Sequence, residues 1–191
     1  METRKIIGTI VGVLAFIALV AGLTYAWFTW SSGDTILNGT TDCFTINYTG
    51  GTAITSLIPT STYNGDGSGK TQVTIGISDE CTVEGTAKIL FTVNDTTNMP
   101  LGEKTPINYA VEYVDPDTSE NKLIEGKISN KGQMVLAENL KLTSDPITYT
   151  VYVWANTADV TNEHSGVDEN ENPIQFSGYI HASAQQTPDN Q

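Results

Sequence analysis

Histidine and cysteine, the residues that carry much catalytic and metal chemistry, are scarce in this chain. Its 191 residues include only His164, His181, Cys43 and Cys81. No His-Glu-x-x-His zinc motif occurs, no cysteine pattern has metal-ligand spacing, and Glu163 and His164 fall in a polar stretch. No serine stands in the strand-to-helix elbow of a hydrolase. The chain therefore reads as a non-enzyme, with no catalytic, cofactor-binding or metal residues assigned. Basic charge is also short, with nine Lys and Arg against 22 Asp and Glu and a net charge of −13. Such a surface repels nucleic acid and anionic headgroups, which excludes a polyanion partner. Leu and Ala thin out after residue 30, and no segment forms an amphipathic helix long enough for a βαβ unit. No internal repeat is visible.

Against this stands one long apolar run. Residues 6–28 are uncharged and mostly apolar, preceded by Arg4 and Lys5, and no further Lys or Arg follows before Lys70. Positive charge on one side orients such a segment with its N-terminus in the cytoplasm and exports everything after Trp30. Residues 1–30 are thus expected to be a signal peptide or a signal-anchor transmembrane helix. An apolar run of about 20 residues suffices to span a bilayer, which favours an anchor. Small residues at Thr24 and Ala26 favour cleavage between Ala26 and Trp27, with Val20, Ala21 and Gly22 forming a poorer site. Kept, Trp27, Phe28 and Trp30 suit the outer headgroup layer; cleaved, they open the mature chain and need burial. The exported part is one unit more negative than the whole, because Arg4 and Lys5 outnumber Glu2. At about 165 residues it is long enough for one domain with a real core.

Thr, Val, Ile and Tyr favour strands, and abundant Asn, Asp, Gly and Ser favour turns. Strand-like alternation occurs over 43–48, 71–77, 86–94, 107–114 and 122–128, and a further strand is expected at 53–58. Residues 134–142 fit either a short helix or a strand. Residues 147–154 are apolar or aromatic on both faces, as in a central strand, and 174–184 close the set with Phe176, Gly178, Ile180 and Ala182 inward. The expectation is an all-β fold: one β-sandwich over 31–185, of jelly-roll or immunoglobulin-like type, with a flexible tail at 186–191. Cys43 and Cys81 lie on the exported side, where they either form a disulfide or remain buried free thiols.

Several stretches resemble functional motifs. Asn64 to Thr71 resembles a phosphate loop, but Asn64 replaces its first glycine and no helix follows, so a Gly-rich hairpin loop is expected. Asp168, Asn170 and Asn172 match the opening of a calcium loop, yet Pro173 and Tyr179 replace its glycine and bidentate Glu. Asp115, Asp117 and Glu120 form a second acidic turn. Weak surface calcium is the most either turn offers; solvated turns joining strands are the plainer reading. His181 is out of phase with Phe176 and Ile180, so a solvent-facing ring is expected. Tyr152, Trp154 and Tyr179 are candidates for surface contacts, with sheet-face packing the bland alternative. Asn38, Asn47 and Asn94 open glycosylation triplets, which arise readily in a Thr-rich chain.

Thr24, Tyr25, Ala26, Trp27 and Phe28, then Gly39 to Ile46, then Leu57, Ile58 and Pro59 together resemble the start of TasA/camelysin-type exported proteins. Trp30 stands where that family usually has Asp, and Thr60 where it has Gly. The resemblance implies a signal removed by a dedicated SipW-like peptidase, a jelly-roll domain and a role in the extracellular matrix of a biofilm. It also implies that residues 27–37 complete the sheet of the next subunit in a fibre. The expectation is an exported cell-surface or matrix structural protein, with its own kind or other surface and matrix proteins as partners. The alternative is a membrane-anchored binding module, an adhesin for glycan or protein. The cytoplasmic membrane is itself a partner of the N-terminal helix, before cleavage or without it.

Overall fold

A computed structural model describes residues 43–186 except 55, 80, 82 and 83, together with the backbone of Phe28–Thr29 and Gly39–Thr40. The signal segment before Phe28, including Ala26 and Trp27, lies outside the described residues, as does the tail from 187. No helix among the described residues is long and apolar enough to cross a membrane.

The chain is all-β. Its strands are β1 (Phe28–Thr29), β2 (Gly39–Thr40), β3 (Phe44–Thr49), β4 (Ala53–Ile54), β5 (Ser56–Leu57) and β6 (Gly69–Ile77). They continue with β7 (Gly85–Val93), β8 (Ile107–Val114), β9 (Asn121–Lys127), β10 (Gly132–Lys141), β11 (Ile147–Ala155) and β12 (Gly178–Gln186). Among the described residues the one helical element is a single 3₁₀ turn, Asn162–His164. Two antiparallel sheets result. The larger has six strands in the order β2-β3-β6-β11-β8-β9, the smaller four in the order β10-β7-β12-β4, and β1 pairs separately with β5. From β6 to β12 the chain changes sheet at every connection except the β8–β9 hairpin.

Period-two alternation builds these strands. In β6, Val73 and Ile75 are fully buried while Lys70, Gln72 and Thr74 point outward. Val151 and Val153 of β11, Ile89, Phe91 and Val93 of β7, and Ile180 of β12 join them in one apolar cluster drawn from both sheets. Phe91 and Phe176 stack within it, with ring centroids 6.0 Å apart and planes 3° from parallel. Each such side chain contributes about 1.5–3 kcal/mol by leaving water. As expected, β11 is an inner strand, between β6 and β8.

Three expectations change in detail. The ambiguous stretch 134–142 is strand β10, paired with β7 through two register shifts, between Val135 and Ala137 and between Ala137 and Leu140. Asn139 takes a left-handed backbone there, with φ of 57°. These irregularities bury Leu136, Ala137 and Leu140, a spacing that imitates a helix face. Residues 53–58 form two short strands in different sheets rather than one. Residues 174–177 precede β12 instead of belonging to it; Ile174 N donates to Gly166 O, so that segment packs its Phe176 from a loop.

Cys43 and Cys81 are joined as a disulfide with Cα atoms 5.4 Å apart. Cys43 lies just before β3 and Cys81 just after β6, its neighbour in the sheet. Ser78 N donates to Cys43 O at 2.9 Å, so backbone and covalent links clamp the same end of the pair. The bridge closes a loop of 38 residues, which in the chain-entropy model stabilises the fold by about 4 kcal/mol. Cys81→Ser, assayed by urea unfolding beside the oxidised wild type, is expected to lose about that much; an unchanged midpoint contradicts the clamp.

Candidate functional site

The Gly-rich stretch 64–71 does not join two paired strands, which revises the hairpin reading. It leads from β5, paired with β1, into β6, paired with β3 and β11. Ile58 N donates to Gly67 O at 3.1 Å, folding the loop back on its own entry. A Cβ at Gly67 would collide with the Ile58 carbonyl, which is why glycine stands there. The loop is followed by a strand, so it presents no helix N-terminus to phosphate.

This fold-back sets Tyr63 against the outer face of the six-stranded sheet. Its ring lies 5.2 Å from that of Tyr152, edge to face, and 6.2 Å from that of Trp154. Lys70 Nζ stands 5.6 Å above the Tyr152 ring, a cation–π contact. Burial, then the neighbouring Glu112 carboxylate, raises the Tyr152 phenol pKa. Glu112, ahead of slight burial, Tyr152 and Glu125, likewise raises the Tyr63 phenol. Trp154 is 7% exposed, so it packs against the sheet rather than offering a ring face to a ligand. Its Nε1–H is enclosed without an acceptor among the described residues. Tyr179, the third aromatic candidate, lies on the other sheet beside His181, with ring centroids 5.5 Å apart. Sequence reasoning missed Tyr63; a lone aromatic in a Gly, Ser and Thr loop was the available signal.

The two acidic turns are closed by their own hydrogen bonds. Asp168 Oδ1 accepts from the backbone of Asn170 and Asn172, both at 2.9 Å, and Oδ2 accepts from Asn98 Nδ2 at 3.1 Å. Asp115 Oδ1 accepts from Asp117 N and Thr118 N at 2.9 and 3.0 Å. These bonds, led by the Asn172 amide for Asp168 and the Thr118 amide for Asp115, lower both carboxyl pKa values. Both turns are Asx turns whose carboxylates already hold N–H donors. Among the described residues no three His, Cys, Asp or Glu side chains group as metal ligands.

The histidines play different parts. His164 is buried at 3% exposure, and its Nδ1 takes the Thr161 backbone N–H at 3.1 Å and lies 3.0 Å from the Thr161 hydroxyl. It lines an open groove of about 540 Å³ with Glu103, Lys104, Lys127 and Asp159. Lys127 and Asp159 pair across that groove at 3.0 Å. His181 is half-buried, not solvent-facing as expected, because Gln133 on β10 reaches over to its Nε2 at 2.8 Å.

One sheet edge is incomplete. Nine-residue β12 meets β4 only at Gly178 and Tyr179, and no other described strand lies beside it on that side. Further along, Ile180 N donates to Thr52 O at 2.8 Å and Ala182 N to the Tyr48 hydroxyl at 2.8 Å. Immediately after β4, β5 pairs with β1 instead, Phe28 opposite Leu57 and Thr29 opposite Ser56. The N-terminal backbone is thus a strand partner for the body of its own chain, next to an edge that β4 pairs with over only two residues. Comparison with protein-family models, curated proteins and solved structures finds no match.

Burial lowers the pKa of both imidazoles. Their contribution to stability is full above the ordinary imidazole pKa and is lost as pH falls through the lowered folded value. Asp115 and Asp168 act in a separate, more acidic window, below the ordinary carboxylate range. Protonation of His164 at Nδ1 would remove the acceptor of the Thr161 amide. Between about pH 7.5 and about pH 5 the melting temperature of His164→Asn, whose amide oxygen can still accept, is expected to fall less than that of the wild type. Coincident profiles contradict this role for His164.

Proposed function

We propose that this chain is an exported structural protein of the cell surface or extracellular matrix, a fibre subunit that assembles by N-terminal strand addition. The observation that carries the reading is the ladder between β1 and β5, next to a β12 edge that β4 pairs with over only two residues. A segment that follows a signal boundary directly and already pairs with the body of a β-fold can pair equally with a second copy. Main-chain hydrogen bonds supply affinity in such a contact, and the orphan aromatics Trp27, Phe28 and Trp30 supply apolar surface. The resemblance to TasA/camelysin-type proteins points the same way, as does the scarcity of catalytic residue types.

The finer architecture in this reading is a β-sandwich of jelly-roll type. Its support is strand order: β4-β12-β7-β10 and β6-β11-β8-β9 form two groups of four, between which the chain alternates, and β3 with β2 extends the second. In this account Ala26 and Trp27 flank the signal cleavage point, and the mature chain acts outside the cytoplasmic membrane. The alternative, a membrane-held adhesin, draws support from the Tyr63 and Tyr152 pair on an outer sheet face.

Electron microscopy of negatively stained protein tests the proposal directly. Residues 27–191 are expected to form filaments, and residues 38–191, lacking the added strand, to stay monomeric. Monodisperse monomers from both would overturn strand addition.

A further inference from the structure

We propose that the outer face of β3, β6 and β11 binds a neutral, hydroxyl-rich polysaccharide, whatever the mode of self-assembly. The chain has 22 acidic residues, yet these three strands contain none. Their outward positions form cross-strand rows: Asn47, Thr74 and Thr148 abreast, then Thr49, Gln72 and Thr150. Thr74 and Thr148 join hydroxyls at 2.9 Å. Sheet geometry spaces such rows by about 4.8 Å across strands and about 6.8 Å along them. The result is a regular array of hydroxyl and amide groups, each able both to donate and to accept.

A neutral polysaccharide has complementary chemistry, with hydroxyls that donate and accept along a repeating, uncharged backbone. At one end of the array Tyr152 and Tyr63 add aromatic edges and hydroxyls, next to the Glu112 carboxylate. Anionic polymers are disfavoured: the one cation on the three strands, Lys70, is drawn over Tyr152 within a strongly acidic protein. A protein partner is disfavoured for a different reason. Protein interfaces depend on large apolar or aromatic anchors that become fully buried. The large hydrophobic residues exposed elsewhere, Ile58, Val114, Leu123, Val135, Val167 and Tyr179, all lie off these three strands. What this face offers is polar, periodic and, apart from Lys70 at one end, uncharged.

Full-length protein from an exporting host is tested by pull-down on cellulose, chitin, xylan and dextran, with alginate as the anionic polymer. Retention on at least one neutral polymer and not on alginate is expected. Gln72→Ala combined with Thr150→Ala should weaken that retention at least about tenfold, by removing the amide and hydroxyl partners of one row. Thr148→Val, which removes a hydroxyl at an exposed position, should act in the same direction and serves if the double variant does not fold. Gln185→Glu, on the other sheet, should bind as the wild type does. Failure to bind any neutral polymer, equal retention on alginate, or full binding by folded face variants overturns the proposal. So does loss of self-association in the face variants with polysaccharide binding intact, which would make the face a contact between copies. Because filament formation is not the readout, failure here leaves strand addition standing, and the reverse also holds.

Discussion

One apolar cluster draws on both sheets, and from β6 onward every connection except the β8–β9 hairpin crosses from one sheet to the other. Val73, Ile75, Tyr149 and Val151 enter the cluster from the larger sheet, and Ile89, Phe91, Val93 and Ile180 from the smaller. Because side chains alternate between the two faces of a strand, a slip of one residue in a strand that lines the cluster would turn its apolar set outward. Register is therefore specified by burial along most of the fold, and loops are left to close the ends. Phe176 and Met99 show how far this extends, since both are buried in the cluster from loop positions.

That constraint weakens at one margin. The smaller sheet ends at β4, which is too short to cover β12, and the seam is closed instead by Tyr48 reaching from β3 to the Ala182 amide. Burial raises the Tyr48 phenol pKa while the bond from Ala182 partly offsets it, the balance of a hydroxyl drawn inside to satisfy a backbone donor. The disulfide holds β3 in place beside this seam. In our account the N-terminal strand exploits the same margin, since β5 leaves β4 and offers its ladder to Phe28 and Thr29. A sheet edge is open to other chains unless it is covered or charged. A structural role built on that edge needs no catalytic residue.

Much of this was legible in the residues. The apolar positions of β6 and β8 recur every second residue in the sequence, and β11 was legible as an inner strand because it is apolar or aromatic on both faces. Strand β10 was not legible, since bulges near Ala137 and Asn139 replace its alternation with a helix-like spacing. Both cysteines were visible, but whether they bond depends on the pairing of β3 with β6, which is tertiary. For Trp154 the residues left surface contact and sheet-face packing both open, and its burial comes from the sheet face and from Tyr63, which a loop far away in the sequence delivers. Asp168 opened a partial calcium-loop match whose plainer reading was a turn, and the fold shows its oxygens taken by Asn98 and its own loop.

The central claim is that the apolar leader is removed and a free strand follows it. Intact mass analysis of the protein isolated from its native cell surface tests this most directly. The account predicts a mature chain beginning at Trp27. A chain that retains residues 1–26 would contradict it and leave a membrane-anchored protein whose aromatics rest in the headgroup layer.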